Sequence, residues 1–151
     1  QGIVAGANAG VTYGAHGLWG WHRQGIPFPS AAFSGMPFAW DQALAFPGAD
    51  DYALIRDLAH RYHLFDLEPF TMRGLPKQAQ AARCAGGSRV LVYLPYAFDL
   101  PLDDELASLQ WHRIDLTTRS VRHGRVITID GTPHLSKGSL NGDSLLVGEL
   151  P

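Results

Sequence analysis

Between Gly10 and Arg23 the sequence GVTYGAHGLWGWHR sets one tyrosine, two histidines and two tryptophans among four glycines. Flat amphipathic rings offer an apolar plane and a polar edge. The floor of a ligand site can use both, the plane for stacking and the edge for hydrogen bonds. Glycine lets a backbone approach a ligand where a Cβ would collide, whereas a stretch built for burial alone would use branched aliphatics. Tyr13, His16, Trp19 and Trp21 are therefore the candidate substrate contacts. The residue types by themselves also allow a set of rings that packs a core layer.

Other chemistries are less well supplied. His16 with His22, and His60 with His63 at i,i+3, carry ligating nitrogens. Zinc takes three or four convergent ligands, usually backed by a carboxylate, so no metal is expected. His112, His123 and His134 read as residues of β turns without a site. Asp41, Asp50, Asp51, Asp57, Asp66 and Glu68 fall at helix starts, faces or exits, where carboxylates are ordinarily solvated or capping, so no catalytic residue is assigned among them. The glycines of GANAGVTYG precede a strand instead of following one, which removes the phosphate-binding reading, and no cofactor is expected. Cys84 is the single cysteine; it excludes an internal disulfide framework and a cysteine-based zinc site. With a formal net charge of -2 and both signs scattered along the chain, no basic stripe or polybasic segment is visible. Neither nucleic acid nor a membrane is expected as a partner.

The rings must be positioned by the elements around them. Residues 2–9 read as the end of a helix stopped by Gly10, and VTYGAHGLW as a short strand running into a glycine-punctuated loop. From Gln24 to Phe46 the prolines and glycines among Phe28, Phe33, Phe38 and Trp40 predict a long ordered loop, with a helical turn or two at WDQALAF. The clearest helix is ADDYALIRDLAHRYHLFDLEP, whose Tyr52, Ile55, Leu58, Ala59 and Tyr62 recur at spacings of three and four. RGLPKQAQAARCAGGS has no period and reads as a connector. Beyond it the pattern alternates, and RVLVYLPY, QWHRIDL, GRVITIDG and DSLLVGEL predict strands.

AGANAGVTYGAHGLWGW, the proline-rich loop, the PGADDYALIRDL helix and the DLEP exit together resemble the last part of the (β/α)8 barrel of apiosidase-like glycoside hydrolases. Tyr13, Gly14, His16, Gly17 and Trp19 all match. The downstream part resembles the β-domain that follows that barrel, labelled a collagen-binding domain: RVLVYLPY its first long strand, IDLTTRSV its W-Y-D-P-R-T-G turn, and GDSLLVGEL its closing strand. Asp115 keeps the acid of that turn, whereas Leu116 stands at its proline and Arg119 at its glycine. An arginine at positive φ costs about 1 kcal/mol or more, so a different turn type is expected.

The fold class that the resemblance implies is an α/β barrel fragment, the last βα units of a TIM barrel, over residues 1–72. A connector over 73–87 and a small antiparallel, sandwich-like all-β domain over 88–151 would follow. Tyr13, His16, Trp19 and Trp21 would come after the eighth strand and line the barrel mouth, where loops build active sites. The two carboxylates that flank a scissile glycosidic bond lie in that family on earlier strands, so this chain is expected to lack them. The implied protein is the C-terminal fragment of a glycoside hydrolase acting on polysaccharide side chains. Its partners would be a carbohydrate substrate and the remainder of the barrel from the parent chain, and a secreted or periplasmic parent fits that role. The start at Gln1, inside a small and apolar stretch, agrees with a piece of something longer. The alternative is a non-catalytic carbohydrate- or collagen-binding or structural module, for which Tyr93, Tyr96 and Trp111 are the surface rings available in the β part.

Overall fold

A computed structural model describes residues 3–5, 18, 21–29, 31–139 and 142–151 of the chain. The expected strand VTYGAHGLW lies outside the described residues except for Leu18, and so does most of the helix end expected over residues 2–9. Two compact units are present, Val11–Arg61 and Tyr62–Pro151, the latter together with Gln1–Gly10.

The described part of Val11–Arg61 is helical. Two short helices, α1 (Ala31–Ser34) and α2 (Trp40–Leu44), interrupt the loop predicted from Gln24 to Phe46. The long helix α3 (Pro47–Tyr62) starts two residues before the predicted Ala49. Proline suits a first helical position, because its missing N–H would have no partner there. Asp50 in the first turn and His60 and Arg61 in the last complement the helix dipole. His63, at φ +51, ends the helix in the left-handed conformation. Leu58 and Tyr62 are buried and Tyr52, Ile55 and Ala59 half-buried, so the three-and-four spacing marks the inward face.

The second unit is built from antiparallel strands. They are β1 (Leu67–Pro69), β2 (Gln80–Cys84), β3 (Arg89–Leu94), β4 (Leu100–Pro101), β5 (Gln110–Asp115), β6 (Val121–His123), β7 (Val126–Ile129), β8 (Thr132–Leu135) and β9 (Ser144–Glu149), with a single-turn helix α4 (Asp104–Ala107) after β4. Six strands form one sheet in the order β1-β2-β3-β9-β5-β6, and three form another in the order β4-β8-β7. Two strands arise before residue 88, where the β-domain was expected to begin. The DLEP exit supplies β1 and the expected connector supplies β2. Ala81 and Ala82 are both buried in β2, which pairs with β3 along Gln80–Arg83. Alanine has little strand preference of its own, so pairing and burial make this strand where the residue pattern did not.

Side chains alternate across each strand, and the register assigns the faces. Val90 and Val92 of β3, Leu146 of β9 and Trp111 of β5 share one face of the larger sheet, and they pack in one apolar core with Leu100 of β4, Leu135 of β8 and Leu106 of α4. Leu91, Val147 and Ile114 point the other way and are also fully buried. The expected alternation of β3 is thus replaced by burial on both faces, as in a central strand. In β7 the correction runs the other way: Val126 and Ile129 are exposed, since this strand is an edge of the smaller sheet. Trp111 is not a surface ring either. It is 3% exposed, and its indole N–H donates to the Leu106 carbonyl at 2.8 Å. A Cβ on Gly124 would lie 2.6 Å from the Cβ of Trp111, so only glycine lets the β6–β7 link cross there.

Candidate functional site

Of the four expected substrate contacts, Tyr13, His16 and Trp19 lie outside the described residues. Trp21 is described, and its side chain is 73% exposed. Its backbone takes φ +46, and its N–H donates to the Leu18 carbonyl at 3.1 Å. The ring meets that of Trp40 at a centroid distance of 5.7 Å and a tilt of 52°. Trp40 opens α2, and its N–H donates to the His22 carbonyl at 2.9 Å, which ties the second ring to the segment that carries the first. The exposed indole of Trp21 thus leans at an angle on the half-buried indole of Trp40. In the sequence Trp40 is one ring of the aromatic loop and opens the helical turn WDQALAF, with nothing to link it to Trp21.

His22 follows Trp21 and is buried, edge-on to Phe28 at 5.8 Å. It lines an open cavity of about 470 Å³ with Gln24, Met36, Pro37, Phe38 and Gln42. Phe38 is braced by the edge of Phe46 at 5.0 Å. The cavity offers apolar walls, two primary amides and an imidazole, a set that can hydrogen-bond hydroxyls without carrying fixed charge. Gly25 and Gly35 sit beside it at φ +80 and +75, and a Cβ on either would meet nothing within 4 Å. These two glycines serve turn conformation and not close approach.

Among the described residues no carboxylate lines this cavity. Asp41 and Asp50 lie in the first turns of α2 and α3, exposed Asp57 pairs with exposed Arg56 at 2.9 Å, and Asp66 and Glu68 are exposed. Among the described residues no group of three or more His, Cys, Asp or Glu gathers to hold a metal, and no helix is long and apolar enough to cross a membrane. Cys84 is buried with its Sγ 3.9 Å from the His63 carbonyl, and burial, with Asp66 adding, pushes its thiol up. His112 and His123 do not sit in turns as expected. They face each other across β5 and β6, with ring centroids 5.3 Å apart.

The described residues thus comprise a helix-bearing unit with an aromatic, amide-edged hollow and an all-β, sandwich-like unit. Residues 1–66 match the family described as Apiosidase-like, catalytic domain. The matched part contains Tyr13, His16, Trp19, Trp21 and the His22 cavity, and the match suggests a glycoside hydrolase family for it. No curated protein matches the chain.

Proposed function

We propose that this chain carries the closing part of a glycoside hydrolase barrel that acts on polysaccharide side chains, followed by an accessory β-domain. The match of residues 1–66 to an apiosidase-like catalytic domain carries this reading. A (β/α)8 barrel takes about 250 residues, so the reading requires further βα units beside these 66. The exposure of large apolar side chains in this unit supports it. Phe33 is 95% exposed, and Trp21, Ile26, Met36 and Phe38 are exposed as well, as befits a surface that other elements cover. In this role Tyr13, His16, Trp19 and Trp21 contact the sugar, with Trp40 backing the Trp21 ring. The acid and the nucleophile or base come from barrel strands other than those carried here. A carbohydrate and the rest of the barrel are the partners.

The family description names an apiosidase, so a chromogenic apioside is the probe. The protein that holds these residues within a complete barrel is expected to hydrolyse it, and the present chain alone is not. In the complete protein Trp19→Ala raises KM a few-fold to tenfold, or about 1 kcal/mol of lost stacking, and His16→Ala lowers kcat as well. Hydrolysis that neither variant alters overturns the assignment of these contacts. Sugar binding without turnover by the complete protein makes this a binding module instead.

A further inference from the structure

The second unit gathers cations that are far apart in sequence. Arg113 and Arg122 are direct partners across β5 and β6, so their side chains leave the same face of the sheet. Like charges placed directly opposite repel and destabilise the pair. Arg125, just past β6, and Lys137, just past β8, join them around an open cavity of about 250 Å³, together with Ser136 and Ser139.

Arg113 lies deepest. It is only 6% exposed, and its Nε has no hydrogen-bond partner. Burial pushes its pKa down, with Asp99 acting against that, yet an arginine stays charged. A buried charge without a paired carboxylate is costly. The nearby acids are already engaged: Asp99 Oδ1 accepts from the Lys137 amide at 2.6 Å, and Asp115 Oδ1 accepts from the amides of Thr117 and Thr118. Among the described residues, no carboxylate lies within ion-pair distance of Arg113, Arg122, Arg125 or Lys137. The loop after β8 folds onto this cluster. Gly138, at φ +56, would place a Cβ 3.6 Å from Arg113 Nη1. Arg122 Nη1 donates to Ser139 Oγ at 2.8 Å, and the Gly138 amide to Ser136 Oγ at 3.2 Å, so both hydroxyl protons remain available to an acceptor.

We propose that this pocket binds an oxyanion, the carboxylate, sulfate or phosphate group of a ligand. Guanidinium forks and hydroxyl donors match such a group, and it would supply the negative charge that the Arg113–Arg122 register lacks. Among the described residues the one ring on the lining is that of His123, so the site recognises a charged group and not a sugar face. It is separate from the hydrolase reading and stands or falls without it.

Titration calorimetry of the present chain at low ionic strength, with sodium sulfate, sodium phosphate and sodium glucuronate as probes, tests the proposal. Saturable binding of at least one is expected, and the order of the three shows whether an ester dianion or a carboxylate is preferred. Binding should weaken about tenfold or more in Arg122→Gln and in Lys137→Gln, and should be lost in Arg113→Met. Arg56→Gln, in the other unit, leaves it unchanged. Should Arg113→Met fail to fold, the two surface variants decide. No saturable binding of any probe, or binding as tight in Arg122→Gln and Lys137→Gln as in the unaltered chain, overturns the site.

Discussion

Arg119 takes φ +59, a conformation that glycine adopts freely and that an arginine adopts at about 1 kcal/mol or more. The expected change of turn type does not occur, and Asp115 is the reason. Its Oδ1 accepts from the amides of Thr118 at 2.8 Å and Thr117 at 3.0 Å. Its own amide donates to the Ser120 carbonyl at 3.0 Å, and the hydroxyls of Thr118 and Ser120 are 2.9 Å apart. These bonds fix the turn from both ends, which leaves the backbone at 119 no alternative. Arg119→Gly is expected to raise stability by up to about 1 kcal/mol in urea denaturation; a loss would mean that the side chain contributes more than the backbone costs. The Thr118 amide, helped by the Thr117 amide and by Arg122, also holds the Asp115 carboxyl below the usual carboxylate range. A lowered folded pKa contributes stability above the unfolded value of about 3.9 and loses it as pH falls through the folded one. Melting curves between about pH 5 and pH 2 should therefore show a shallower acid loss in Asp115→Asn than in the unaltered chain. At this scale the sequence draws attention to Trp21 and its neighbours, whose ring types stand out among glycines. Arg113, Arg122, Arg125 and Lys137 look like scattered surface charge until the β5–β6 register and the loop after β8 bring them together.

Strand position decides what an apolar side chain is worth. β3 and β9 lie inside the six-stranded sheet and are buried on both faces, while β7 is an outer strand of the smaller sheet. Leu91→Ala in β3 should cost about 2–5 kcal/mol, as for a fully buried leucine, whereas Ile129→Ala in β7 should cost less than about 1 kcal/mol. Urea denaturation of the two variants checks the ranking, and equal costs would contradict it. Both segments, RVLVYLPY and GRVITIDG, read equally as strands in the sequence because both are rich in branched residues. Which is central and which is an edge is a property of the pairing order, and no local pattern records it. The helix α3 is readable because the three-and-four spacing of Tyr52, Ile55, Leu58, Ala59 and Tyr62 recurs along its length. β2 is not, because QAARC has neither alternation nor strand formers and is defined by β1 and β3 on either side.

At the scale of the whole molecule the tryptophans divide three to one: Trp19, Trp21 and Trp40 belong to Val11–Arg61 and Trp111 to the unit ending at Pro151. Labelling the chain with 5-fluorotryptophan gives each its own resonance. With increasing urea the Trp111 signal is expected to change after those of Trp21 and Trp40, because Trp111 sits in the larger core and the other two rings do not. Coincident midpoints for all the rings would show that the chain unfolds as one cooperative body. The order of the larger sheet also bears on how the molecule is made. β9 follows all its partners in sequence yet lies between β3 and β5, pairing Arg89 with Glu149 and Gln110 with that same residue. During synthesis on the ribosome, β1-β2-β3 and β5-β6 therefore emerge as two half-sheets, each with an open apolar edge and nothing of this sheet to join it. Closure waits for the last strand and for partners as far apart in sequence as Arg89 and Glu149, which is the slow kind of folding step. Until then those two edges are where a chaperone, or another nascent chain, would attach.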